Sequence, residues 1–120
     1  MKTKIWSMPF VLTICALHSL GVFLGLVVLS ASQMTWFGFP PYECVFYQKQ
    51  AGVFHLVMSI LYFSAIRQPV LIPFIIIAKC IAVIFLIISY LLISTSWMIV
   101  VSAFVDGIFA VTIYILYKKE

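Results

Sequence analysis

VLIPFIIIAKCIAVIFLIISYLLI (residues 70–93) and WMIVVSAFVDGIFAVTIYILY (residues 97–117) are separated by only residues 94–96. Each stretch contains a single charged residue, Lys79 in the first and Asp106 in the second. At ~1.5 Å of rise per residue, either is long enough as a helix to cross a hydrocarbon layer of ~30 Å. Helices joined by so short a turn lie side by side and run in opposite directions. Lys79 then lies roughly 13 Å and Asp106 roughly 16 Å from the cytoplasmic ends of their helices. A charge at that depth is costly, so it turns toward the protein interior and takes a partner. The two residues are placed to be each other's partner.

The rest of the chain repeats the pattern. Of its 120 residues, 66% are hydrophobic and 8% charged, far too little charge to coat a soluble domain. The expected fold is all-α: a single integral membrane domain, residues 1–120, built as a four-helix antiparallel transmembrane bundle. Its spans fall at about residues 8–31, 48–66, 70–93 and 97–117, with Pro9 at a first helical turn that tolerates proline. Lys2, Lys4, Arg67, Lys118 and Lys119 fall on one side and Lys49 on the other, an asymmetry that makes both termini cytoplasmic. The net charge of +4 is scattered over span ends rather than gathered in a stripe, which argues for a lipid bilayer and against nucleic acid as partner. Lys2, Lys4, an apolar run and Ser30-Ala31-Ser32 resemble a cleavable signal, but the run exceeds the usual ~7–15 residues, so an uncleaved first span is expected. The loop from Ser32 to Tyr47 is rich in aromatics (Trp36, Phe37, Phe39, Tyr42, Phe46, Tyr47) around Pro40-Pro41. It suits either an interfacial anchor or a lid and docking surface.

Helical spacing organises the few polar residues of the spans. His18, His55, Lys79 and Asp106 supply one titratable group per span, all near the middle layer, with His18 roughly 18 Å deep. His18 aligns with Cys15, Gly21 and Gly25, and His55 with Gly52, Ser59 and Tyr62. Asp106 aligns with Ser102, Ala103, Gly107 and, less closely, Tyr114. Small residues let helix backbones approach in lipid, so Gly21, Gly25, Gly52, Ala103 and Gly107 are expected at helix contacts. Ser59, Tyr62, Ser102 and Tyr114 are expected to support an inward polar cluster of His18, His55, Lys79 and Asp106. Three readings fit that cluster. Lys79 and Asp106 form a buried pair that fixes helix register; the cluster lines a cavity for protons or a ligand; or Lys79 snorkels to the interface.

Specific chemistry finds little purchase. No cofactor is expected; the alternative is a b-type haem held by His18 and His55 on neighbouring helices. The chain is similar in size to small multidrug exporters, but its first span carries His18 where those proteins carry an essential glutamate. No GxSxG, HExxH, Walker or dinucleotide-binding motif occurs, so no catalytic residue is assigned. Glu43 beside Cys44 is insufficient for a metal site. Cys15, Cys44 and Cys80 form no CxxC pair, and Cys15 and Cys80 are expected to pack as small apolar residues.

Three stretches carry a family resemblance: Gln50-Ala51-Gly52-Val53-Phe54-His55-Leu56, Ile66-Arg67-Gln68-Pro69, and the spacing from Lys79 to Asp106-Gly107. Through them residues 48–117 resemble small four-span bacterial membrane proteins, the DoxX-like and related uncharacterised families. The first span departs from that group in lacking a basic residue near its start. The resemblance implies a compact bundle in a bacterial inner membrane, often accessory to redox or export systems, and supplies no catalytic residues. The leading expectation is a non-catalytic accessory or assembly subunit whose partners are other membrane subunits or further copies of itself. A small proton-coupled transporter or channel is the alternative, and a haem- or quinone-binding redox subunit is the third.

Overall fold

A computed structural model describes residues 7–39, 45–93 and 95–119. Lys2, Lys4, Pro40, Pro41, Tyr42, Glu43 and Cys44, on which parts of the sequence reading rest, lie outside them. Among the described residues there is no strand. The helices are α1 (Met8–Val28), α2 (Ala31–Trp36), α3 (Val45–Arg67), α4 (Ile72–Leu92) and α5 (Trp97–Lys119), with a 3-10 turn at Pro69–Leu71. Four of them, all but α2, are long and apolar enough to cross a membrane.

Several boundaries differ from those the sequence predicts. The first span is expected to reach residue 31, but α1 stops at Val28. Ser30 ends it by starting a new helix: its hydroxyl accepts from the Gln33 amide (3.3 Å), while its own amide donates to Gln33 Oε1 (2.9 Å). This reciprocal capping box satisfies two amides that a helix start otherwise leaves bare. The expected long loop from Ser32 to Tyr47 therefore contains α2 and the first turn of α3. The third span is expected from residue 70, yet the α-helix begins at Ile72. Pro69 and Pro73 lie in the first turns of the 3-10 turn and of α4, where a missing amide costs nothing. The fourth helix runs to Lys119, beyond the expected residue 117.

The long helices associate as two pairs, α1 with α3 and α4 with α5, each pair touching the other more sparsely. The fully buried core gathers where the pairs meet. It contains Val11, Leu12 and Cys15 from early α1, Tyr62 and Ala65 from late α3, Ile72 and Ile75 from early α4, and Ile113 from late α5. The opposite ends of the pairs are joined through the segment after α2. The Gly38 carbonyl accepts from the Met98 amide (3.3 Å) and from the Ser96 hydroxyl, both at the start of α5. Gly38 has φ +82°, and a Cβ there would collide with the Trp97 ring, so both backbone and space require glycine.

The α1–α3 pair is held by polar contacts to backbone. Ser59 donates to the Ala16 carbonyl (2.9 Å). Gln48 Nε2 donates to the carbonyls of Leu26 (2.9 Å) and Leu29 (2.9 Å), and Lys49 Nζ to that of Val27 (2.8 Å). Carbonyls in the last turn of a helix lack amides of their own, so α3 supplies the donors that α1 needs at its end. Gly52 lets the helices come this close: a Cβ there would stand 3.1 Å from Leu26 Cβ and 3.3 Å from the Phe23 carbonyl oxygen.

Candidate functional site

The site is built around Lys79, the eighth residue of α4 (72 to 79). Its ammonium lies 2.7 Å from Asp106 Oδ1 on α5, with side-chain exposures of 6% and 18% respectively. Two aromatic rings complete its surroundings. Tyr62 of α3 and Phe109 of α5 each have their centroid 5.2 Å from Nζ. A desolvated cation is stabilised by a carboxylate at contact distance and by the negative faces of aromatic rings. Lys79 thus bonds to its own pair through Asp106 and Phe109 and reaches across to the other pair through Tyr62. Its ammonium is turned to Asp106 rather than extended toward a helix end.

His18 of α1 joins the cluster from outside. Its ring meets that of Phe109 edge-on, with centroids 5.5 Å apart and planes at 67°. His18 is exposed, contrary to the inward position that spacing predicts. The reason is angular: residues three apart on a helix are offset by about 60°. That leaves Cys15 fully buried and carries His18 round to the rim beside α5. His55 of α3 is partly buried. Neither histidine makes a hydrogen bond among the described residues.

The supporting residues divide. Tyr62 (1% exposed) faces Lys79, while Ser59 is buried and bonds to Ala16 rather than to a histidine. Ser102 is partly buried. Tyr114 is exposed and lies apart from the cluster, with Lys118 Nζ 5.9 Å from its ring. Among the small residues, Gly52 makes the close helix contact between α1 and α3. At Gly107 a Cβ would stand 4.0 Å from Val83 Cγ2 of α4, an ordinary contact. Gly21 and Gly25 do not pack against another helix. Nothing stands within 4 Å of a Cβ at Gly21, and at Gly25 only Leu29 Cδ1, just past the end of the same helix, does, at 3.9 Å. In α1 the close approach to α3 uses the face of Leu26 and Val27, which leaves Gly21 exposed and Gly25 half-buried.

Two grooves flank α5. One of about 540 Å³ runs between α4 and α5, lined by Val83, Ile87, Ala103, Phe104 and Gly107 among others. The second, about 440 Å³, lies between α1 and α5 and is lined by Val11, Ile14, Ile108, Phe109 and Thr112. Neither is lined by Lys79 or Asp106. Among the described residues, no three His, Cys, Asp or Glu side chains come together as metal ligands would.

Sequence reasoning missed two residues. Phe109 stands three positions after Asp106, but nothing in its spacing marks it from the other phenylalanines. Gln48, assigned only as a span start, is 0% exposed and ties α3 to α1. A glutamine at the end of an apolar run, opposite a helix terminus in need of donors, is the signal that could have found it. Comparison with protein-family models, curated proteins and solved structures gives no match.

Proposed function

We propose that this chain crosses a bacterial inner membrane as an antiparallel four-span bundle with both termini cytoplasmic. There it serves as a non-catalytic accessory or assembly subunit of a larger membrane complex. The observation that carries this reading is the state of the Lys79–Asp106 pair. Its two charges neutralise each other at 2.7 Å, beneath Tyr62 and Phe109. A proton-coupled transporter needs a carboxylate free to load and unload, and Asp106 is held by a cation instead. The remaining long faces of the four helices are apolar, with Phe74, Ile84, Phe85, Leu91, Phe104 and Val111 among the exposed side chains. Such surfaces meet lipid or other membrane helices, not aqueous substrates. The resemblance of residues 48–117 to DoxX-like proteins supports the same role, and no cofactor is part of it.

Detergent-solubilised pull-down of the tagged chain tests this reading. The expected result is one reproducible membrane complex, retained when Lys79→Met and Asp106→Leu are combined. Recovery of the chain without any partner, together with proton-driven uptake in liposomes abolished by Asp106→Asn, would overturn it in favour of transport. A Soret band lost in His18→Ala or His55→Ala would overturn it in favour of a haem protein.

A further inference from the structure

We propose that two copies of this chain pair through the exposed face of α1, with His18, at the edge of that face beside α5, hydrogen-bonded to His18 of the other copy. The inference rests on the membrane reading of the four long helices, but not on the accessory role.

His18 is the middle residue of the 21-residue helix α1. It is exposed, and among the described residues it has no hydrogen bond, only the ring contact with Phe109. In hydrocarbon an imidazole so placed has no water to satisfy its N–H donor or its bare nitrogen. Its side chain is also too short to reach either interface from the centre of a span. The polar atoms therefore call for a partner beyond the chain, at the same depth.

A second copy supplies that partner by symmetry. Two chains inserted with the same orientation, and related by a twofold axis along the membrane normal, bring the same residue to the same depth. A neutral imidazole is its own complement, with one nitrogen donating and the other accepting. Two of them form one N–H···N bond, which satisfies the donor of one copy and the acceptor of the other. The surface around His18 allows the approach. One turn along the helix lies Gly21, with no atom within 4 Å of where a Cβ would stand. Exposed Leu17, Leu24 and Val28 surround it. A glycine at the centre of such a face lets two backbones come near enough for side chains as short as imidazole to meet. The opposite face of α1, with Leu12, Cys15, Ala16 and Ser19, is already occupied within the chain.

The test uses the full chain, labelled with donor and acceptor fluorophores and reconstituted in phosphatidylcholine vesicles. Resistance to carbonate extraction is checked first, because an extractable chain defeats the membrane reading itself. For the inserted chain, energy transfer should rise with protein-to-lipid ratio as a dimer forms. His18→Ala should weaken pairing roughly threefold, the scale of one average interhelical hydrogen bond. His18→Gln, which keeps a donor and an acceptor, should restore much of it. Gly21→Leu should abolish pairing while leaving helicity unchanged, and Ile84→Ala on the exposed face of α4 should change nothing. An inserted chain that stays monomeric at every ratio overturns the proposal. So does pairing indifferent to His18→Ala, or cross-linking in native membranes that joins α1 only to a different protein.

Discussion

The α1–α3 pair and the α4–α5 pair are held together by opposite means. Between α1 and α3 the bonds run from side chains to backbone carbonyls: Ser59 to Ala16, Gln48 to Leu26 and Leu29, Lys49 to Val27. The helices close on Gly52. Between α4 and α5 the polar link among the described residues is one ion pair, and an open groove of about 540 Å³ lies along the contact. Association in lipid has no hydrophobic driving force, so polar bonds and close packing must do it. The first pair spreads that task over several donors to backbone, each individually dispensable. The second concentrates it in two charges, neither of which is tolerable alone. Fragility should therefore sit in α4–α5 and be all-or-none, whereas damage to α1–α3 should be graded.

The contrast is broken most sharply at Lys79. Lys79→Met leaves the Asp106 carboxylate without its counter-charge, and the folded state should lose about 3–5 kcal/mol in an SDS titration followed by circular dichroism. Adding Asp106→Leu should return most of that loss; if the double variant is as unstable as the single, charge pairing is not what joins α4 to α5. Gly52→Leu comes next. Its side chain would enter the space held by Leu26 and Val27, with an expected cost of about 1–3 kcal/mol in the same titration. Gln48→Leu removes two donors from carbonyls at the end of α1, for a loss of about 1–2 kcal/mol, seen as faster amide exchange near Leu29. Ser59→Ala should be mildest, about 0.6 kcal/mol, the average for an interhelical hydrogen bond in a membrane bundle. Equal effects at Lys79 and Ser59 would erase the distinction between the two pairs.

How far the site could be read from residues alone follows the same division. Lys79 and Asp106 are legible because each is the only charge in a long apolar run, and isolation in such a run nearly dictates a partner. Tyr62 is legible by its spacing from His55. His18 and the Gly21–Gly25 spacing mislead because a helical stripe is about 100° wide. Within it, one residue can be fully buried while its neighbour three positions on lies at the rim. Gln48 stays hidden because its importance comes from the end of another helix, far from it in sequence. The Ser30–Gln33 capping box is written in adjacent residues, but Ser30-Ala31-Ser32 also resembles a cleavage site, and that likeness masks its power to stop α1 and begin α2.

By itself, then, the sequence determined that four helices are long and apolar enough to cross a membrane, and which two residues carry charge into their middles. Length and hydropathy settle those matters, because each depends only on residues adjacent in the chain. Tertiary structure decided which helices pair closely, which glycine takes a neighbour's backbone, and which face of α1 is left bare. Those outcomes depend on rotations of a few tens of degrees about helix axes. Only the simultaneous packing of all the side chains fixes such rotations.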